Sequence, residues 1–363
     1  MGRPGLDTNP LELGPDWFNN LFAEIGIDAE VKGLTAKSIG TGQIGENVRF
    51  VFDYARAGEG TPRSLVGKFP SASEASIMTA KLLNHYKREV MFYRTFPKVA
   101  GRITPDALYT DYDPETNRFA LIMEDMAPSE QGDQLKGCSV EEARRALEAA
   151  AVLHAAHWND PALDAHDWLQ GSAAAPAPAL GPEMVAGLWG GFKERYAAHL
   201  TPDIIEVGDA FAAALPYYSD QYDGPNVLTH NDFRLDNMLF GPVTARKPLV
   251  VVDWQTAGKG APANDVAYFI GAGLTREERP KHEQALLRHY HDRLTAEGVS
   301  GYSLDDLYTH YRLFSFYGIS VAFGAAMLVK QTERGDEMFL TMIRRHTAQV
   351  RDNNALELLP AVS

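Results

Sequence analysis

His230-Asn231-Asp232-Phe233-Arg234-Leu235-Asp236-Asn237, followed sixteen residues later by Asp253 in Val251-Val252-Asp253-Trp254-Gln255, are the two stretches on which the reading of this chain turns. Each follows a short apolar run, Val227 to Thr229 and Leu249 to Val252, of the kind that forms a buried strand ending in a polar loop. Phosphoryl transfer needs a carboxylate beside the acceptor hydroxyl and hard oxygen ligands for Mg²⁺. A loop opened by a strand can present Asp232 as the base, with Asn237 turned back toward a metal. Alone, the first stretch could equally be a solvated turn. Asp253 at the end of a second strand supplies the second metal ligand and tips the balance toward chemistry.

Working upstream, Gly40-Thr41-Gly42-Gln43-Ile44-Gly45 precedes the alternating run Val48 to Phe52. Glycines let a backbone approach phosphates closely, and Gly40, Gly42 and Gly45 are the candidates. A dinucleotide-binding reading wants a strand before such glycines and a helix after them. The following run alternates as a strand does, which favours a loop folded over nucleoside triphosphate. Lys68 closes the strand candidate Ser64 to Phe69, and Glu89 lies on a helical stretch expected from about Glu74 to Phe96. A lysine on the α/β-phosphates, held by a helix glutamate, is what kinase chemistry requires. Gly67 departs from the β-branched residue usual in such a strand, and is expected to loosen the placement of Lys68.

The ordered set of His230-x-Asp232-x-x-x-x-Asn237, Asp253, Lys68, Glu89 and the glycine loop resembles the aminoglycoside phosphotransferase and choline kinase superfamily, from about Gly40 to Tyr317. Asn231 to Asn237 and Asp253-Trp254-Gln255 look most like its ecdysteroid-kinase-like branch. The resemblance implies an α+β, bilobal, protein-kinase-like fold using ATP and Mg²⁺. It divides the chain into a nucleotide-binding lobe over residues 1–123 with a helical leader to about 35, a linker over 124–127, and a helical lobe over 128–363. Glu124, Asp125 and Met126 would then offer backbone groups to the adenine edge. Asp265, in Asn264-Asp265-Val266-Ala267, would brace the catalytic loop, and the helix bearing His154 and His157 would pack beneath it. Arg234 is expected to stabilise charge on the transferred phosphoryl group.

Composition limits the alternatives. At 363 residues the chain is long enough for two units, and 45% hydrophobic with 23% charged residues marks a folded protein. A formal net charge of -14 argues against broad binding to nucleic acid or anionic membranes. The single cysteine, Cys138, fits a reducing compartment, and with no basic-then-apolar start the cytoplasm is expected. The apolar stretch from Arg312 to Lys330 approaches the length of a membrane span, but its small residues and aromatics suit a buried helix.

Along the rest of the chain, a short amphipathic helix is expected around Trp17 to Ile25 and a hairpin over Ala107 to Met123, turning at Asp113 to Asn117. A helix is expected from the capping sequence Ser139-Val140-Glu141-Glu142 to about Trp158, a loop over Gly171 to Pro182, and helices from Ser303 onward. The partner is a small-molecule hydroxyl acceptor. The resemblance implies acceptor-binding segments around Trp189 to Tyr196, Tyr268 and Ser303 to Lys330, whose Trp189, Phe192, Tyr196, Tyr311, Phe314, Phe316 and Tyr317 are compatible with an apolar alcohol, steroid-like or hydroxyacyl, though aromatics at helical spacing are also core residues. An aminoglycoside would need converging carboxylates, for which Glu277, Glu278, Asp305 and Asp306 are available. A catalytically silent nucleotide- or ligand-binding protein is the reading from another class.

Overall fold

The computed structural model describes residues 6, 8–40, 44–169, 182–218 and 221–360. The chain divides into two compact units, Met1–Pro128 with Val252–Thr256, and Ser129–Val251 with Ala257–Ser363.

The first unit opens with α1 (Pro15–Ile25), started by a proline whose missing N–H is no loss at a helix N-terminus. It is stopped by Gly26 in the left-handed region at φ 77°. Next come β1 (Ala29–Ile39), β2 (Gly45–Ala57) and β3 (Ser64–Pro70), then α2 (Glu74–Leu82), α3 (His85–Thr95) and α4 (Pro97–Ile103). The hairpin of β4 (Ala107–Asp113) and β5 (Arg118–Glu124) follows. These strands form one antiparallel sheet in the order β1-β2-β3-β5-β4. Phe18 and Phe22 of α1 are fully buried against Phe50 and Phe52 of β2, with ring centroids 4.8 to 5.5 Å apart. Burial of such rings dominates the energetics of a small sheet.

Two differences from the sequence reading have physical causes. The residues read as a leader contain the start of β1, a strand whose burial scarcely alternates and whose pairing with β2 shifts register around Val31. The single helix expected over 74–96 is two, because Asn84 takes φ 56°, a conformation asparagine tolerates better than most residues and that interrupts the helical ladder.

The second unit contains β6 (Glu130–Gln131) and α5 (Val140–Ala155), whose capping box of Ser139 and Glu142 forms as the sequence implies. The helix ends at Ala155, three residues short of Trp158. After it come α6 (Pro182–Arg195), α7 (Pro202–Tyr218), β7 (Val227–Thr229), β8 (Met238–Phe240), β9 (Leu249–Val251) and β10 (Gly258–Gly260). The loop expected over Gly171 to Pro182 lies almost wholly outside the described residues. The remainder is helical: α8 (Pro262–Gly273), α9 (Arg279–Ala296), α10 (Leu304–Phe314), α11 (Tyr317–Leu328) and α12 (Glu333–Asp352). Short antiparallel pairings, β7 with β10 and β6-β8-β9, lie among these helices. The apolar stretch after Arg312 is divided between α10 and α11; Leu304–Leu328 is long and apolar enough to cross a membrane, and 67% of its apolar 18-residue window is buried. The fold is α+β and protein-kinase-like, with an antiparallel sheet first and a mostly helical remainder.

Candidate active site

The loop after β7 is built around Asp265. Its carboxylate accepts the backbone N–H groups of His230 at 2.7 Å and Asn231 at 2.8 Å. It is held in turn by His154 of α5, whose Nε2 lies 3.2 Å from Asp265 Oδ2 while Nδ1 lies 2.7 Å from the Tyr290 hydroxyl. These groups are fully buried, where unpaired polar atoms are costly, so the network fixes the chain entering the loop. Tyr317 of α11 donates to the Asn231 carbonyl at 2.6 Å, holding that residue at φ 66°. His157 pairs with Asp160 at 2.8 Å. On the far side, Gln134 accepts the Leu235 N–H at 3.0 Å and donates its own backbone N–H to Asp236 Oδ1 at 3.0 Å. Gly132 is required there: a Cβ would lie 2.6 Å from the Leu235 carbonyl oxygen.

Within this frame, Asp232 Oδ1 accepts from Arg234 Nε at 2.9 Å and from the Tyr268 hydroxyl at 3.2 Å, and Oδ2 accepts from Asn237 Nδ2 at 2.8 Å. Asn237 Nδ2 also donates to the Asp232 carbonyl at 2.9 Å, which commits the amide nitrogen and makes the amide oxygen the atom that could meet a metal ion. Arg234 is shared: its Nη1 lies 2.8 Å from Asp236 Oδ2 and 3.1 Å from Met338 Sδ. Burial opposes its charge, but Asp232 and Asp236 outweigh that and raise its pKa further. Asp236 is held below the usual carboxylate range, burial being overcome by Arg234 and Arg334. Arg334 itself lies 3.2 Å from Asp236 Oδ1 and 3.8 Å from Asp133.

The first unit holds the other group. Lys68 Nζ lies 2.6 Å from Glu89 Oε2 and 2.9 Å from Asp253 Oδ1. Burial alone would lower the lysine's pKa, yet the two carboxylates overcome it and hold the ammonium above its ordinary value. Asp253 takes φ 67°, and Trp254 beside it is fully buried on Phe92 of α3, one helical turn beyond Glu89. Gly67 does not loosen Lys68. A Cβ there would lie 2.5 Å from the Phe69 ring, so the glycine makes room for that ring while Lys68 projects from the opposite face of the strand.

Of the glycine-loop residues, Gly40 takes φ 76° and Gly45 opens β2, its Cα so close to Lys68 that a Cβ would lie 3.3 Å from Cε. Gly42 lies outside the described residues. Glu124 ends β5, donating its backbone N–H to the Asp106 carbonyl at 2.9 Å. Asp125 turns its carboxylate to Arg49 of β2 at 2.8 Å, and half-buried Met126 follows.

Sequence reasoning missed Arg334 and Phe92, and placed Tyr268 in an acceptor-binding segment without foreseeing its contact with Asp232. Each sits at helical spacing among apolar or solvated neighbours, and its contact carries no signal until the fold sets it beside Asp232, Asp236 or Trp254.

A strand-borne lysine paired with a helix glutamate, together with a braced Asp-to-Asn loop, defines a kinase-type phosphotransferase. A model of the phosphotransferase enzyme family (APH) matches residues 54–302, and the chain belongs to that family. The match is to the family as a whole and does not single out the ecdysteroid-kinase-like branch. The fold is similar to that of the Plasmodium vivax ethanolamine kinase, at 12% identity and TM-score 0.57, covering 92% of this chain and 87% of that one. It is also similar to spectinomycin phosphotransferase in complex with ADP and spectinomycin, at 14% identity and TM-score 0.51, covering 96% and 97%. Among curated proteins, Acyl-CoA dehydrogenase family member 11 of Gallus gallus is 39% identical over 80 residues, 21% of this chain; that stretch spans 10% of the relative's length.

Proposed function

We propose that this protein transfers the γ-phosphoryl group of Mg-ATP to a hydroxyl of a small molecule that is not a polycation. The observation that carries the reading is Lys68, buried and charged between Glu89 and Asp253. A buried ammonium so placed is suited to the α/β-phosphates of a nucleotide and has little structural rationale otherwise.

In this reading Asp232 orients the acceptor hydroxyl and takes its proton, with Asn231 and the loop held still by Asp265 and Tyr317. Asn237 of the second unit offers an amide oxygen and Asp253 of the first a carboxylate, each a hard donor suited to Mg²⁺, an ion that would neutralise triphosphate charge. Lys68, held by Glu89, aligns the α/β-phosphates, and the loop from Gly40 to Gly45 covers them. Glu124 to Met126 offer backbone groups to the adenine edge. Arg234 holds Asp232 through a charge-assisted hydrogen bond and brings positive charge to the loop beside which the acceptor hydroxyl takes the phosphoryl group.

The acceptor class follows from how charge is spent around Asp232. Asp236 is paired with Arg234 and Arg334, Asp133 lies 3.3 Å from Lys136 and near Arg334, and Asp336 accepts from Tyr196 and Gln331. Carboxylates already neutralised by arginine or lysine, as Asp236 and Asp133 are, or engaged by neutral donors, as Asp336 is, are poor hosts for an aminoglycoside's ammonium groups, which supports an apolar alcohol, steroid-like or hydroxyacyl. The name of the chicken relative, an acyl-CoA dehydrogenase family member, supports the hydroxyacyl arm.

The test is ADP release from Mg-ATP across a panel of apolar alcohols, a hydroxyacyl-CoA thioester, choline, ethanolamine and kanamycin. Turnover with an uncharged alcohol or the thioester, abolished by Asp232→Ala with ATP binding retained, is expected. Kanamycin as the best acceptor would overturn the acceptor class. Binding of ATP with no ADP release from any acceptor would mark a silent kinase fold, and stabilisation by NAD rather than Mg-ATP would remove the kinase reading.

A further inference from the structure

The carboxylate of Asp232 is crowded unevenly. Each carboxylate oxygen offers two lone-pair sites in the carboxylate plane. On Oδ1 both are taken, by Arg234 Nε at 2.9 Å and the Tyr268 hydroxyl at 3.2 Å. On Oδ2 one is taken, by Asn237 Nδ2 at 2.8 Å. We infer that Tyr268 is a positioning residue which saturates Oδ1 of Asp232, fixes the carboxylate's rotation and so makes Oδ2 the atom that receives the acceptor's proton. This rests on the reading of Asp232 as the base.

Tyr268 is built for such a task. It lies on α8, the helix that also carries Asp265, so one rigid element sets both the backbone of the loop and the angle of its carboxylate. Its ring is fixed on two sides, edge-on to Tyr317 with centroids 5.4 Å apart and stacked on His346 at 5.7 Å. Tyr317 in turn holds the Asn231 carbonyl, which precedes Asp232 in the chain. Burial, then the neighbouring Asp232, push the Tyr268 hydroxyl well above its ordinary pKa, so it remains a donor. In the transfer step the acceptor O–H bond breaks as its oxygen bonds to the γ-phosphorus, the proton passes to Oδ2, and the bond from phosphorus to the ADP oxygen breaks with its electrons.

The experiment is a double-mutant cycle of Tyr268→Phe and Asp232→Asn, read as Mg-ATP turnover with water and with the best alcohol of the panel, alongside Tm. Tyr268→Phe keeps the ring and removes one oxygen; kcat is expected to fall roughly tenfold with KM for ATP unchanged. In the Asp232→Asn background the same substitution should cost nothing further in turnover, and the Tm losses of the two variants should be non-additive. An unchanged kcat in Tyr268→Phe, or equal losses in both backgrounds with additive Tm shifts, would overturn the inference while leaving Asp232 as the base. Full turnover in Asp232→Asn would instead remove the base assignment itself.

Discussion

Phe92 lies flat on Trp254, ring centroids 3.7 Å apart and planes 3° from parallel. Because Glu89 sits one turn earlier on the same helix, the face of α3 that holds Lys68 also holds the residue directly after Asp253. Position in this unit is therefore set by packing as much as by charge.

Phe92→Ala should then act twice. Emptying the space beneath Trp254 is expected to cost about 3–5 kcal/mol of stability, seen in urea unfolding. Affinity for Mg-ATP should also fall, measured by calorimetry at a temperature where the variant is folded, because Glu89 and Asp253 lose their common support. Phe92→Leu, which refills most of the volume, should recover most of both.

Arg234→Lys separates two roles for this side chain. The guanidinium spans Asp232 Oδ1 and Asp236 Oδ2, a fork that a single ammonium cannot reproduce. If holding the two carboxylates is what matters, kcat should fall by roughly tenfold or more in the lysine variant, with a lower Tm. Near wild-type kcat in Arg234→Lys would assign the residue to the phosphoryl charge alone.

Gly67→Val should destabilise the first unit by about 1–3 kcal/mol, since overpacking forces neighbouring side chains from their rotamers. The new Cβ would meet the Phe69 ring at 2.5 and 2.7 Å and Ile122 Cδ1 at 3.0 Å. A lowered urea midpoint with an unchanged slope is the expected signature.

Acid stability should report on His346. Burial lowers its pKa to about 4, with Gln349 as its 2.9 Å partner, Tyr268 stacked on it and the charges of Arg279 and Arg345 opposing protonation. An unfolded histidine titrates near 6.5, so between that value and about 4 the unfolded chain binds a proton that the folded one refuses. Stability contributed by this group is full above pH 6.5 and is lost as pH falls toward 4, by roughly 3 kcal/mol. His346→Asn should flatten that part of the pH profile in chemical denaturation, even if its stability at neutral pH is lower.

The two groups of the candidate site were legible because one is compressed into a single loop and because, in the other, strand, lysine, helix and glutamate arrive in order along the chain. Hairpins were legible for a similar reason: Asp113 caps its own turn, accepting from Glu115 N and Thr116 Oγ1. What escaped was set by distant partners. Tyr268 reads as part of an acceptor-binding segment, and its contact with Asp232, thirty-six residues earlier, appears only once the two are placed together. Gly67 read as a weakness because its neighbour Phe69, two positions along, decides what the position can hold. The Asn84 break was invisible because a left-handed residue between two helical stretches leaves no gap in their composition.

The strand β1 has a practical meaning for anyone shortening this protein. It forms one edge of the sheet, and its exposed Lys32 and Lys37 are the kind of charges that discourage pairing with another chain. Trimming to residue 35 on the view that the start is a dispensable extension would remove α1 and most of β1 together. The unpaired ladder of β2 and the rings of Phe50 and Phe52 would then face solvent. Such a chain could keep every residue assigned to chemistry and still be lost to aggregation in the cell.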